Sequence, residues 1–200
     1  MSSASTHTPT PRFATFADLL LIPEDQRYHE ILDGELLRKA APGGEHSLAH
    51  SEIRGALQAF RGRKKSAAQL GGWWILIEPT IELARHEVVQ PDLAGWRREN
   101  MPEPPSGYPL RLRPDWACEV MADSDARRRD GVQKRRIYAD HGVPHYWLID
   151  TERKRLLVLR LEARGYVEVL QAGRGERVRA EPFDAIELSV GVLFGDDPED

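Results

Sequence analysis

Two carboxylates of this chain lie inside apolar segments, where an ionised side chain is costly to bury. Glu119 interrupts the apolar run 116–121 (WACEVM), and Asp92 lies within 88–94 (VVQPDLA). A buried carboxylate must be paired with a cation, protonated or bound to a metal ion. Two such acids at one side of a sheet repel each other unless they share a proton or a hard cation such as Mg²⁺. The pattern therefore predicts either a divalent-metal site, or a turn-capping Asp92 and a Glu119 paired with an arginine.

A stripe of residues on the next predicted helix is suited to complete a metal site. Asp130, Lys134 and Tyr138 are four residues apart, so they drift by only about 40° per step along one helix face. Because the predicted helix 124–142 directly follows the strand of Glu119, the stripe is able to face that carboxylate. A lysine beside two acids and a metal can hold a phosphate oxygen or orient an attacking water. The alternative is an ordinary Asp–Lys surface pair, which contributes about 0.3 kcal/mol.

The same helix carries a surplus of positive charge. Residues 125–136 contain six Lys or Arg and two Asp, a local charge of +4 in a chain of net charge −4. Such a cluster suits the phosphate backbone of a nucleic acid, although a solvated helix face has the same composition. The segment 61–65 (RGRKK) is likewise either a solvated helix end or a DNA-backbone contact. The candidate nucleic-acid contacts on the helix are Arg127, Arg128, Arg129 and Arg135.

Length and composition limit the class of protein. The chain has 200 residues, 40% of them hydrophobic and 30% charged, which is typical of one globular domain with a substantial core. Its single cysteine, Cys118, excludes an intramolecular disulfide and a Cys-based metal cluster. The sequence shows no apolar signal core and no run of about 20 apolar residues, so we expect a cytoplasmic protein without a membrane span. The net negative charge argues against a protein that coats nucleic acid by bulk attraction.

The elements that must position these residues indicate a mixed α/β (α+β) domain with one central sheet. Asp33-Gly34 between two partly apolar runs predicts a hairpin, and apolar residues at three- and four-residue steps predict a helix over 47–60. The pattern then predicts three strands, the second helix, a strand and a final hairpin. These later segments are 71–83, 87–96, 115–122, 124–142, 143–150 and 155–171.

The chain is expected to have one domain with short tails. Residues 1–12 are rich in Ser, Thr and Pro, which predicts a disordered tail. We expect a single domain over 13–195 and an acidic tail over 196–200.

Six motifs follow one another along the chain: YHEILDGELL, GEHS, VVQPDLAGW, CEVMADSD, the D-x-x-x-K-x-x-x-Y stripe and HGVPHYWLID. In this order and spacing they resemble the Uma2 family, restriction-endonuclease-like proteins of the PD-(D/E)xK nuclease superfamily. The resemblance covers roughly residues 15–195, and its most specific part runs from Pro91 to Asp150. It implies a restriction-endonuclease-like core, in which helices flank a mixed sheet. It also implies a divalent metal at the edge of that sheet, usually Mg²⁺, with Mn²⁺ as a substitute.

The resemblance also assigns roles to individual residues. Asp92 matches the acid of the PD half-motif and Glu119 matches the second acidic ligand, and the Val120 carbonyl would complete the metal shell. The superfamily pattern places a lysine two residues after the second acid, where this chain has Met121. Lys134 matches a lysine that has moved to the following helix, from which its side chain can reach back to the strand end.

Four further residues are accessory candidates. Glu30 in the first hairpin and His46 before the first long helix match recurrent family positions, and each is either a further metal contact or structural. Asp130 belongs to the stripe, and we expect Tyr138 to pack against the sheet with its hydroxyl near Asp130. At 122–123 the chain has Ala-Asp where family members often have Ser-Pro, so the loop is expected to differ there.

The expected function is that of a Mg²⁺-dependent DNA endonuclease, which hydrolyses phosphodiester bonds without a covalent enzyme intermediate. One alternative is a catalytically inactive restriction-like fold that serves as a nucleic-acid-binding or protein-interaction module. Another is a phosphoester hydrolase that acts on nucleotides or RNA. Because a nuclease that cuts both strands commonly works as a symmetric pair, we expect a homodimer, with the hairpin 155–171 as candidate interface.

Overall fold

The structure, a computed structural model, describes residues 13–63 and 70–197. No helix in these two ranges is long and apolar enough to cross a membrane. The α-helices are α1 (Phe16–Leu20), α2 (Gly44–Ala56), α3 (Ser124–Arg128) and α4 (Arg135–Asp140), and a π-helical turn (Arg129–Lys134) joins the last two. The strands are β1 (His29–Leu32), β2 (Glu35–Arg38), β3 (Trp73–Ile77), β4 (Ile81–Ala84), β5 (Glu87–Val89), β6 (Leu93–Arg97), β7 (Trp116–Met121), β8 (His145–Asp150), β9 (Arg155–Glu162), β10 (Gly165–Gly173), β11 (Arg177–Val178) and β12 (Leu188–Ser189).

A six-stranded sheet forms the centre of the fold. Its strand order is β10-β9-β8-β7-β6-β3. β7 and β8 run parallel, and every other neighbouring pair in this sheet is antiparallel. The predicted α+β class with a mixed central sheet is therefore confirmed.

A second sheet has the order β2-β1-β5-β4 and is antiparallel throughout. The pattern predicts one strand over each of 71–83 and 87–96 in a single central sheet, and this is wrong. The first segment forms β3 and β4, and the second forms β5 and β6, so that each segment contributes to both sheets. Pro79 and Pro91 lie in the two breaks, where a residue without an N–H cannot continue the ladder of hydrogen bonds.

The two divided segments change sheets side by side. β3 pairs with β6 in the six-stranded sheet, and β4 pairs with β5 in the second sheet. Where they cross, the Glu78 N–H donates to the Asp92 carbonyl over 3.0 Å. We call residues 78–80 and 90–92 the sheet joint. The first of the two predicted acidic ligands thus lies where one sheet ends and the other begins.

Alternating side chains of β7 supply both faces of the six-stranded sheet. Trp116 and Val120 belong to a core cluster that also contains residues of α2 and of the C-terminal segment. Ala117 and Met121 belong to a second cluster, which includes residues of α4 and of the second sheet. Glu119 shares this second face, so its carboxylate enters the layer between the sheet and α4.

The predicted helix 124–142 is interrupted by a wider turn. The Asp123 side chain accepts a hydrogen bond from the Ala126 N–H over 2.8 Å and caps α3. The π-helical turn that follows carries Asp130 and Lys134, both of them buried. Turns of this kind recur at functional sites, because the extra residue re-aims the side chains around it.

Both predicted hairpins are confirmed. Asp33 and Gly34 join β1 to β2 with positive φ angles of 54° and 77°, as a two-residue hairpin turn of the primed type requires. β9 and β10 form the C-terminal hairpin. Three predicted features lie wholly or partly outside the described residues: the tail 1–12, residues 64–65 of the basic segment, and residues 198–200 of the acidic tail.

Gly95, in the middle of β6, lies between two tryptophan rings. A Cβ atom at this position would lie 3.1 Å from the Trp73 ring and 3.2 Å from the Trp116 ring. We expect Gly95→Val to lower the free energy of unfolding by about 1–3 kcal/mol, because the new side chain must displace packed rings. Urea unfolding followed by tryptophan fluorescence measures this change.

Gly55 in α2 provides the matched control. Apart from the backbone of the helix itself, no atom of the described residues lies within 4 Å of a Cβ built there. Gly55→Ala should therefore raise the free energy of unfolding by about 0.5–1 kcal/mol, since alanine is favoured inside a helix. A Gly95→Val protein as stable as the wild type would contradict the packing described for β6.

Candidate active site

Asp92 is a buried carboxylate surrounded by donors. Its Oδ2 atom accepts the Val120 N–H over 2.6 Å and lies 3.2 Å from His46 Nε2, and Lys39 Nζ lies 3.5 Å from Oδ1. Burial alone would raise the pKa of Asp92, but His46, Lys39 and the Val120 N–H outweigh burial and hold this pKa below its usual range. Asp92 is therefore ionised. His46 lies in the first turn of α2, which begins at Gly44, and not before the helix as the sequence predicts.

Glu119 differs from Asp92 because its surroundings raise its pKa instead of lowering it. It is 1% exposed, and its Oε1 atom accepts hydrogen bonds from Lys134 Nζ over 2.7 Å and from the Tyr138 hydroxyl over 3.0 Å. Burial raises the pKa of Glu119 to about 8; the charge of Lys134 opposes this shift, and nearby carboxylates add to it. The second acid of the pair is therefore held in an environment that disfavours its ionised form.

Lys134 lies at the centre of a buried ion cluster. Its Nζ atom is 2.7 Å from Glu119, 2.7 Å from Glu30 and 3.6 Å from Asp130. Burial by itself would lower the pKa of Lys134, but these three carboxylates raise it above its usual value. Lys134 therefore carries a positive charge, and we call Lys134 with these three acids the ion cluster. The predicted reach of Lys134 back to Glu119 is present in the structure.

Glu30 links the ion cluster to the sheet joint. Its Oε1 atom also accepts the Gln90 N–H over 2.7 Å, and Gln90 lies two residues before Asp92. Its Oε2 atom is buried without a hydrogen-bond partner among the described residues. Glu30 thus connects β1, the sheet joint and Lys134.

The stripe on the second helix faces the sheet, with one difference from the prediction. The Tyr138 ring packs against Tyr146, with ring centroids 4.9 Å apart. The Tyr138 hydroxyl donates to Glu119, whereas the sequence predicts it near Asp130. The Tyr146 hydroxyl instead donates to the backbone carbonyl of Asp130 over 2.9 Å. The difference arises because Tyr138 is one turn farther along the helix, opposite β7.

The four arginines predicted to contact nucleic acid differ in their surroundings. Arg129 donates to both carboxylate oxygens of Asp130, over 2.9 and 3.1 Å. Arg127 pairs with Glu152, and Arg135 donates to a backbone carbonyl of β10. Arg128 is exposed and makes no ion pair with another described residue. Arg128 and Arg129 line a cleft at the candidate site, and Arg127 and Arg135 do not contribute to it.

This cleft, of about 790 Å³, opens onto both predicted acidic ligands. Lys134 is completely buried and contributes no surface to the cleft. Glu119 therefore lies between Lys134 and the cleft. The charged or titratable residues that line the cleft are Arg38, Lys39, His46, Glu78, Asp92, Glu119, Asp123, Asp125, Arg128 and Arg129.

Asp92 and Glu119 each keep a carboxylate oxygen that could bind a hard divalent cation. Both hydrogen bonds to Glu119 end on Oε1, so Oε2 receives none from the described residues. Oδ1 of Asp92 has Lys39 Nζ as its nearest donor, at 3.5 Å. Mg²⁺ is commonly held by one or two carboxylates and keeps several waters. The described residues contain no group of three or more His, Cys, Asp or Glu arranged to hold a metal, so water or substrate oxygens would have to complete the shell.

Lys39 is a site residue that the sequence patterns do not reveal. It directly follows β2, and its Nζ atom donates to the Gln90 carbonyl over 2.7 Å as well as approaching Asp92. The hairpin pattern places Lys39 opposite Tyr28, but no local signal brings it to Asp92. That contact exists because the second sheet packs beside the sheet joint.

Sequence and structure comparisons relate the chain to proteins described as nucleases. A family model described as "Uma2: Putative restriction endonuclease" matches residues 13–191. Among solved structures, "a putative nuclease belonging to DUF820 from Anabaena variabilis ATCC 29413" matches with a TM-score of 0.66 and 21% sequence identity. The match covers 90% of this chain and 97% of that chain, and at this identity it shows a shared fold. No curated protein matches.

Because the surroundings of Asp92 favour its charge and those of Glu119 disfavour it, replacing each acid with its amide should change the stability by different amounts. Asp92→Asn should lower the free energy of unfolding by about 2–3 kcal/mol, because an amide cannot satisfy the Lys39, His46 and Val120 donors as a carboxylate does. Glu119→Gln should stay within about 1 kcal/mol of wild type, since an amide oxygen can still accept from Lys134 and Tyr138.

Urea unfolding at neutral pH in the presence of EDTA measures both changes. Glu35→Gln, at an exposed position at the start of β2, is the control for loss of an acid. A larger loss of stability for Glu119→Gln than for Asp92→Asn would contradict the opposite electrostatic character of the two acids.

Proposed function

The chain belongs to the Uma2 family, and we propose that it is a metal-dependent endonuclease that hydrolyses phosphodiester bonds in DNA. One observation carries this proposal. Asp92 at the sheet joint and Glu119 on β7 line the same cleft, and a buried lysine anchors Glu119. Carboxylates that converge in this way suit an ion that binds phosphate oxygens.

Asp92 and Glu119 would hold the metal, Mg²⁺ or Mn²⁺, with the Val120 carbonyl as a further oxygen donor. When bound, such an ion polarises a phosphoryl oxygen and lowers the pKa of a bound water. Asp92 brings a full negative charge, because its three donors stabilise the ionised form. Glu119 offers Oε2, while Lys134 and Tyr138 hold Oε1 in place.

Lys134 acts through Glu119 in this proposal. Because Lys134 has no surface in the cleft, it is assigned as a positioning residue that fixes Glu119 and balances the charge of three acids. Glu30 and Asp130 in turn hold Lys134. A direct contact between Lys134 and a phosphate would require the ion cluster to rearrange.

Basic side chains on two walls of the cleft would receive the phosphate backbone. Arg128 and Arg129 lie on the helical segment after β7, whereas Arg38 ends β2 and Lys39 directly follows it. Arginine and lysine neutralise phosphates and release counterions, which is the main source of sequence-independent affinity for DNA. The four basic residues flank the acids that would hold the ion.

We also propose that two copies act together on the two strands of DNA. β10 is the outer strand of the six-stranded sheet. Its outer edge offers backbone N–H and C=O groups to a second chain, as edge strands do. The C-terminal hairpin is therefore the proposed interface.

Removing either acid should abolish cleavage. With Mg²⁺ or Mn²⁺ and supercoiled plasmid or linear duplex as substrate, Asp92→Asn and Glu119→Gln should each lower the cleavage rate roughly a hundredfold or more. Metal should also raise the melting temperature of the wild type, and this shift should disappear in Asp92→Asn. The Glu35→Gln control should cleave and melt like the wild type.

Two results would count against this function. A wild type that is inert on single-stranded, duplex and branched DNA with either metal would remove the enzymatic proposal. DNA binding that survives both acid substitutions without any metal dependence would favour a noncatalytic binding module.

Lys134→Arg tests the positioning role while it keeps the positive charge. The larger planar head group must displace the Glu119 carboxylate, so we expect about tenfold weaker metal binding together with slower cleavage. Calorimetric titration with Mn²⁺ measures the affinity. A variant that cleaves slowly but binds metal like the wild type would contradict positioning through Glu119.

A further inference from the structure

A second basic surface lies at the opposite end of the strand pair β3–β6 from Asp92. Arg97 is the last residue of β6 and pairs with Trp73, the first residue of β3. Arg98 follows directly. With Arg63 they line a depression of about 390 Å³. We call Arg63, Arg97 and Arg98 the arginine surface.

Two of these arginines are held in place by tryptophan rings. The guanidinium carbon of Arg97 lies 4.6 Å from the centroid of the Trp73 ring, and that of Arg98 lies 3.5 Å from the Trp74 ring. Stacking of this kind fixes a guanidinium without using its N–H donors. The Arg98 side chain also donates to the Arg61 carbonyl over 2.7 Å, which further restricts its position.

The arginine side chains of this surface are not paired with acids among the described residues, although the Asp115 carboxylate accepts the backbone N–H of Arg97 over 2.8 Å. Within 13–63 and 70–197, none of its three side chains forms an ion pair, whereas Arg127, Arg129 and Arg160 do. Glu99 also lines the depression but makes no ion pair with the described residues. Partial burial and the nearby charge of Arg63 lower the pKa of Arg98, as expected for like charges held together. A bound anion would relieve this repulsion.

The arginine surface is connected to the candidate active site by regular structure. Asp92 and Arg97 are five residues apart along an extended strand, or about 16 Å at roughly 3.3 Å per residue. α2 and the turn after it connect the same two sites. His46 in the first turn of α2 approaches Asp92, and the carbonyl of Arg61, five residues after the end of α2, accepts from Arg98. A separation of about 16 Å corresponds to about five base-pair steps of DNA at 3.4 Å each.

We propose that the arginine surface is a phosphate-binding subsite, which holds the backbone of a nucleic acid about five base-pair steps from the bond that is cut. Guanidinium groups match phosphate oxygens as bidentate donors, and these arginines have donors to spare. The position given for the cut bond rests on the proposed nuclease function. The phosphate site itself rests on the three arginines and the two tryptophans.

The test compares Arg63→Gln, Arg98→Gln and the double variant with the wild type. Arg111→Gln is the matched control, since Arg111 is an exposed arginine paired with Glu82 away from this surface. The probe is a short fluorescein-labelled duplex, titrated in EDTA so that no cleavage occurs, over a series of salt concentrations. Thermal melting checks that each variant is folded, and Arg63→Gln alone serves if Arg98→Gln does not fold.

We expect the double variant to bind the duplex about tenfold more weakly at low salt. The slope of log affinity against log salt should fall by about 0.9 for each phosphate that the variant no longer neutralises. Arg111→Gln should match the wild type in affinity and slope. Unchanged affinity and slope in the double variant would overturn the subsite, even if the wild type cleaves DNA.

Failure of the nuclease function is distinguishable from failure of the subsite. A wild type that binds the duplex through these arginines but cleaves no DNA keeps the subsite and loses the nuclease function. If the wild type does not bind the duplex, calorimetry with tripolyphosphate decides. Tripolyphosphate that binds to the wild type but not to the double variant supports the phosphate site. A wild type that does not bind tripolyphosphate overturns it.

Discussion

Lys134 is a positive charge without access to water, and its three acidic partners come from three different elements. Glu30 belongs to the second sheet, Glu119 to the six-stranded sheet and Asp130 to the π-helical turn. Loss of Lys134 would leave these acids without their shared cation, and breaking a buried ion pair in this way typically costs about 3–5 kcal/mol. The packing of the two sheets and of the helix therefore depends on the same contact that orients Glu119.

The ion cluster and the sheet joint together explain how two acids of opposite character face one cleft. Asp92 lies where two strands change sheets, and its neighbouring N–H and basic groups stabilise its charge. Glu119 emerges from the middle of an apolar strand, and its environment disfavours charge. Paired titratable groups with such different surroundings are typical of sites that do chemistry. The fold accepts the electrostatic cost of burying several carboxylates at the place where a bound cation would offset it.

Local sequence patterns were sufficient for the features that depend on neighbouring residues. Asp33-Gly34 predicts its hairpin, and the stripe of Asp130, Lys134 and Tyr138 predicts a face turned to the sheet. The sheet joint could not be predicted, because apolar residues continue on both sides of its prolines and the change of sheet is set by long-range pairing. The approach of Lys39 to Asp92 depends on the same packing. Contacts between segments distant in sequence have no local signal, and most of the candidate site consists of them.

The π-helical turn has a consequence for chain length. The extra residue of this turn sets the direction of the side chains around it, so the loss of one residue here would change how Asp130 and Lys134 are placed relative to each other. Val132 in the turn is 66% exposed, so its deletion would remove no core side chain and leave every residue of the ion cluster in the chain. The number of residues between β7 and α4 is therefore as important for forming the ion cluster as the identity of its residues. A related chain with the same acids and lysine but one residue fewer here would have to assemble them around a different helical turn.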